Sequence, residues 1–224
     1  MESFSVIRAS AFRALKPLLF EKIVPLELAT KVKEKYGFIA APSVNVLNQP
    51  ADFQAGKYSY QNKIVSIEQF FVAYVGNRAT SLGASTRVST DVSEEFLQDL
   101  IGWAANEYGL ETTEVLPRAY FSQVEFVFPK SLSQHFAELQ QIGTAITKFV
   151  NGYGLANCPP YEFDGFSMNF DLIKFEDLKP MPQPFAIARR AGSKYEEKKY
   201  FSQAPLRTQD HRAILEQLEQ ILLR

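Results

Sequence analysis

The chain has 224 residues, 46% of them hydrophobic and 22% charged, with a formal net charge of -1. This composition excludes a wholly disordered chain and a polyanion coat held by net charge, and it suffices for one large domain or two small ones. The single cysteine, Cys158, excludes an intramolecular disulfide and a cysteine-rich zinc site and points to a reducing compartment, taken as the cytoplasm.

From the N-terminus, Phe4, Ile7, Ala11, Leu15 and Leu18 recur at helical spacing, with Arg8, Arg13 and Lys16 between them. That pattern suits a packed helical segment, with a transit peptide or an interfacial helix as alternatives. "PLELATKVKEKYGF" then reads as a short helix opened by Pro25 and closed by Gly37, with Leu28, Ala29, Val32 and Tyr36 on its apolar side. Ala41 to Gly56 holds two prolines and two asparagines without apolar periodicity, so it reads as a connection. Residues 1–56 therefore form an N-terminal helical segment and connection, and 57–224 an α+β domain, the two making one compact unit.

Beyond Lys57, β-branched and aromatic residues alternate with turns at Gln61 to Lys63 and Gly76 to Arg78, the texture of a three-strand meander. "DVSEEFLQDLIGWAANEYGL" is the clearest helix: Asp91 and Glu94 suit a capping box, and Phe96, Leu97, Leu100, Ile101, Ala104 and Tyr108 make the apolar stripe. Trp103 lies off that stripe, where it can meet a loop or a partner. "FSQVEFVF" alternates as a strand, and Ser131 opens a long amphipathic helix through Val150, with Leu132, Phe136, Leu139, Gly143, Ile146 and Val150 as its apolar side.

"FSMNFDLI" from Phe166 is the most regular half-buried strand, setting Ser167, Asn169 and Asp171 on a polar face. The prolines of Lys179 to Pro184 bar that stretch from a sheet interior. A strand, a turn at Gly192 and Ser193 and a returning strand follow, and Thr208 caps a last helix with Ile214, Leu215, Leu218, Ile221 and Leu222 on its apolar side. The fold class is α+β, a mainly antiparallel sheet of about six or seven strands with amphipathic helices packed on it. No repeat of fixed period is visible, although the order of elements leaves room for a duplicated half.

Longer apolar runs such as "FFVAYVG" from Phe70 fall far below the roughly 20 residues needed to cross a bilayer, so no transmembrane association is expected. No phosphate-cradling glycine loop and no nucleophile elbow is present. A nucleophilic pair of Cys158 with His135 or His211 has the residue types but no spacing that demands contact. Glu162, Asp164, Asn169 and Asp171 lack the register of a calcium loop, and Glu196 with Lys198 is too short a match to carry a magnesium nuclease. No catalytic residue, metal site or cofactor is assigned.

Two weaker sites remain. Asn169, Asp171 and His211, the last at the first turn of the final helix, make a dispersed polar site for a small ligand or an enzyme. Arg189, Arg190, Lys194, Lys198 and Lys199, interleaved with Tyr195 and Tyr200, carry the residue types of single-strand binding. Glu196 and Glu197 among them instead favour a mixed-charge edge, which can also select a protein partner. The favoured expectation is a non-catalytic protein that acts through a protein partner or as a homo-oligomer; nucleic-acid binding through 189–199 is the less favoured reading.

Overall fold

The computed structural model describes residues 1–15, 25–41, 51–75, 78–108, 118–153, 159–169 and 183–222. Its strands are β1 (Ser3–Ala14), β2 (Ala51–Tyr60), β3 (Lys63–Val75), β4 (Arg78–Thr86), β5 (Arg118–Val127), β6 (Gly165–Met168), β7 (Phe185–Arg189) and β8 (Lys199–Ala204). The helices are α1 (Pro25–Tyr36), α2 (Thr90–Tyr108), α3 (Ala137–Gly152) and α4 (Thr208–Leu222). The class is α+β. The strands form one antiparallel sheet in the order β2-β3-β4-β1-β5-β8-β7-β6, one strand more than the sequence indicates.

The extra strand is β1, and it corrects the helical reading over Phe4 to Ala14, while Leu18 lies outside the described residues. Phe4 pairs with Phe126 and Val6 with Val124, but the register then shifts between Val6 and Arg8, and Ala9 and Ala11 become the buried positions. One inserted residue in a period of two leaves apolar residues at 4, 7 and 11, which imitates a helix. Pairing on both sides, with β4 and β5, satisfies the backbone and decides for the strand.

A smaller correction concerns β2, which begins at Ala51, inside the stretch read as a connection. The alternation there is broken at Ala55 (φ 56) and Gly56, where a Cβ on Gly56 would overlap the Phe38 ring. The β2–β3 turn is the two-residue type expected of a tight hairpin, with Gln61 (φ 47) and Asn62 (φ 62) both left-handed.

The strand order is symmetric about the β1–β5 seam. Each half runs β, α, β, β, β, α, and from the seam outward β1, β4, β3, β2 mirror β5, β8, β7, β6. Ala9 pairs with Ser122 on the seam, while Thr86 and Ala204 flank them in equivalent places. The chain is thus a duplicated unit related by a pseudo-two-fold axis, the arrangement that the sequence left open.

The helix-facing side of the sheet carries two cores. One joins Ala11, Phe53, Phe70 and Leu82 to Val32 and Tyr36 of α1 and to Phe96, Leu97 and Leu100 of α2. The other joins Val124, Phe126, Ile187 and Tyr200 to Leu132 and to Leu215 of α4. Phe96 centres the first, its ring edge-on to Tyr36, Tyr58 and Phe70.

Between the cores the N-termini of α2 and α4 meet on the pseudo-axis. Thr208 Oγ1 accepts the Thr90 N–H at 3.0 Å, and Thr90 Oγ1 accepts the Thr208 N–H at 2.9 Å. Each threonine caps the other helix rather than its own, which corrects the self-cap read for Thr208. Two positive helix ends face each other here, and Asp91 and Asp210 in the first turns offset them. Because Thr90 and Thr208 are buried, Thr90→Ala and Thr208→Ala should each destabilise by about 1–2 kcal/mol in urea melts. A loss confined to one of the two variants would contradict the reciprocal cap.

Candidate functional site

α3 is where the structure departs most from a closed globule. The long helix expected from Ser131 is instead a 3-10 turn, Leu132–His135, followed by α3, with a break at Phe136 (φ -118, ψ 54). The turn drops Leu132 into the core beneath Tyr200, whose hydroxyl accepts the Leu132 N–H at 2.8 Å. Phe136 packs on Phe163, and residues Tyr161 to Phe163, outside any helix or strand, lie against α3.

The side of α3 that meets this segment is polar and small. Gln140 Nε2 donates to the Tyr161 carbonyl and Gln140 Oε1 accepts the Phe163 N–H, at 3.1 and 3.3 Å. The Tyr161 N–H reaches Thr147 Oγ1 at 2.9 Å, and a Cβ on Gly143 would collide with the Tyr161 backbone. Gly143 is therefore what permits the close approach.

The large apolar residues face elsewhere. Leu139, Ile142, Ile146, Phe149 and Tyr153 follow steps of three and four along α3, and all are exposed: 56% for Ile142, 65% for Phe149 and 78% for Tyr153. The expectation that Leu139 and Ile146 pack on the domain is corrected. A contiguous apolar stripe of this kind is uncommon on a surface with no task for it. The helix was legible in the sequence, but its orientation was not: Gly143 reads as part of the apolar side, and nothing in its neighbours announces the Tyr161 backbone that it meets.

His211 lies at the other end of the polarity scale, fully buried beside the seam. Its Nε2 is 2.9 Å from Ser202 Oγ and its Nδ1 is 2.7 Å from Ser122 Oγ. Ser202 already donates to the Ala186 carbonyl at 2.8 Å, so it accepts from Nε2–H, and Nδ1 accepts from Ser122. Burial alone holds the imidazole pKa down at about 4, in place of the ordinary 6.5. A serine hydroxyl bonded to imidazole is the start of a nucleophilic pair, yet Ser122, Ser202 and His211 are all shut from solvent. The equivalent places in the first half are Ala9, Ala84 and Ser93, whose hydroxyl donates to the Ala9 carbonyl at 2.8 Å. The trio therefore fills the space that small residues fill across the axis.

Asn169 is exposed past the end of β6, and His211 bonds the two central serines, so these two do not form one site. Asp171 and Cys158 lie outside the described residues, as does most of Lys179 to Pro184. His135 ends the 3-10 turn. Among the described residues, no three of His, Cys, Asp and Glu converge as metal ligands. A shallow depression lies on the sheet face away from the helices, lined by Ile7, Arg8, Gln54, Glu68, Gln69, Ser85 and Gln123. It is wide open, and Arg8 donates to Gln69 at 2.7 Å, which in turn donates to Asp52 at 3.0 Å.

In the basic hairpin the cations have internal tasks. Arg189 donates to the Ser193 carbonyl at 2.5 Å and lies 3.8 Å above the Tyr195 ring. Arg190 pairs with Glu125, and so does Lys199 at 3.1 Å. Lys198, itself left-handed at φ 48, donates to the Pro129 carbonyl at 2.7 Å, while Lys194 is exposed. Trp103 is half-buried against the first core, edge-on to Tyr108 and under Lys35 of α1 at 5.7 Å. Its off-stripe position is explained by α1.

Among the described residues, no helix is long and apolar enough to cross a membrane. Comparison with protein-family models finds no match, and comparison with curated proteins finds none either.

Proposed function

We propose that this protein works by association: a non-catalytic α+β scaffold, acting in the cytoplasm, that presents the apolar stripe of α3 to a protein surface. The orientation of α3 carries the reading. The helix spends Gln140, Gly143 and Thr147 on its own chain and leaves Ile142, Ile146, Phe149 and Tyr153 exposed. An amphipathic helix presented with anchors at i, i+4 and i+7 is a recurrent recognition element. Phe149 and Tyr153 offer the aromatic area that concentrates binding energy at interfaces. The basic hairpin supports nucleic-acid binding less well, since four of its five cations already hold intramolecular partners.

The test is the native size of the chain in cell extract after mild crosslinking, for wild type and Phe149→Glu. Wild type is expected in a complex larger than its own 25.4 kDa, and Phe149→Glu at the monomer mass with unchanged circular dichroism. Monomeric wild type, or a complex indifferent to the substitution, would refute the proposal.

A further inference from the structure

We infer that the surface covering the α3 stripe is a second copy of this chain, with the two α3 helices packed antiparallel about a two-fold axis. The inference rests on the reading of α3 as a docking face and names its occupant.

Self-complementarity is the first argument. Steps of three and four from Leu139 to Tyr153 place the residues as the a and d positions of a short heptad pattern. Reversing a copy against itself sets Ile142 opposite Ile146 of the copy and Leu139 opposite its Phe149. Each of these layers occurs twice, because the axis relates them. Branched aliphatics then meet branched aliphatics, and the larger ring meets the more flexible leucine.

The flank of the stripe suits close approach. On one side lie Ala145 and Gly152, both exposed, so the reversed pairing brings Ala145 near its own copy at the axis. Small residues there let two helices come near without lateral bulk. Lys148 lies on the back of the helix, away from the seam, and buries no charge in it.

Area is the third argument. With aromatic side chains near 150–250 Å² each, the exposed parts of the five residues offer on the order of 600 Å² per copy. A pair would then cover about 1,200 Å², the low end of specific interfaces. A dimer in the micromolar range is the corresponding expectation, and a closed two-fold is the commonest way such a patch is used.

The test is sedimentation of the purified full chain up to roughly 200 µM, a range that populates a micromolar dimer. The expected mass is twice 25.4 kDa at the top of the range, and Ile142→Glu or Phe149→Glu should raise the dissociation constant at least about tenfold with the fold intact. In a Cys158→Ser background, mixing Ile142→Cys with Ile146→Cys chains should yield far more crosslinked dimer than either alone, which checks the antiparallel register. A dimer insensitive to both glutamates, or equal crosslinking by the single variants, would overturn the inference. A monomer throughout would overturn it too, and hydroxyl-radical footprinting then separates the two ideas. Labelling of Phe149 and Tyr153 in that monomer leaves the face free for a different protein, whereas protection would remove the docking reading as well.

Discussion

Glu94→Ala is expected to destabilise the protein by about 3 kcal/mol, because it strands an arginine that is mostly withdrawn from solvent. The Glu94 side chain is 9% exposed, and its Oε1 accepts from Arg13, from Arg118 at 2.9 Å and from Gln98 at 3.3 Å. Arg13 is itself only 17% exposed, held on β1 beneath α2. Arg118, at 35%, can turn to water, so most of the loss comes from Arg13. Removing the carboxylate takes away the attraction but not the cost of keeping that guanidinium out of solvent.

The companion variant distinguishes this from lost packing. Arg13→Met with Glu94→Leu deletes both charges and keeps volume, so it should recover most of the stability lost by Glu94→Ala. Urea unfolding at neutral pH measures both. A loss under about 1 kcal/mol for Glu94→Ala, the size typical of a solvated surface pair, would show the cluster to be merely superficial.

Acidification should cost about 3 kcal/mol through His211 alone. In the unfolded chain its pKa is the ordinary 6.5, and burial lowers the folded value to about 4. Between these values the unfolded state holds a proton that the folded state refuses, so stability falls as pH drops from about 6.5 to about 4 and levels off below. Each pKa unit is about 1.4 kcal/mol, which sets the size.

Carboxylates add slopes of their own, so the quantity to measure is the difference between wild type and His211→Gln. Glutamine can still accept from Ser122 and donate to Ser202, and it does not titrate. The wild-type stability profile should be steeper than the variant's between about pH 6.5 and 4 and parallel to it elsewhere. Parallel profiles throughout would mean that His211 is protonated in the folded state or reached by water.

The residues themselves show which expectations were readable. α1 starts at Pro25 and stops before a left-handed Gly37 (φ 60), as its breakers indicate, and β2 turns into β3 at Gln61 and Asn62, where the sequence reads a turn. The buried Phe96, Leu97 and Leu100 match the stripe of α2. Trp103, Arg189 and Arg190 draw the eye in the sequence, but their partners Lys35, Tyr195 and Glu125 come from other elements or across a turn. Glu94 illustrates the limit: its position three after Asp91 suggests a capping box, whereas Arg13 and Arg118, distant in sequence, draw it inward.

By itself, then, the sequence determined the local elements and the α+β class, since periodicity, turn residues and helix breakers act over a few neighbouring positions. Only the tertiary structure decided the rest. β1 is a strand because two partners satisfy its backbone through a bulge that hides its alternation. The duplication appears in strand order and in the reciprocal Thr90–Thr208 caps, where pairing, unlike residue identity, is what the two halves share. The outward stripe of α3 depends on one missing side chain at Gly143, whose consequence is set by where the Tyr161 backbone passes.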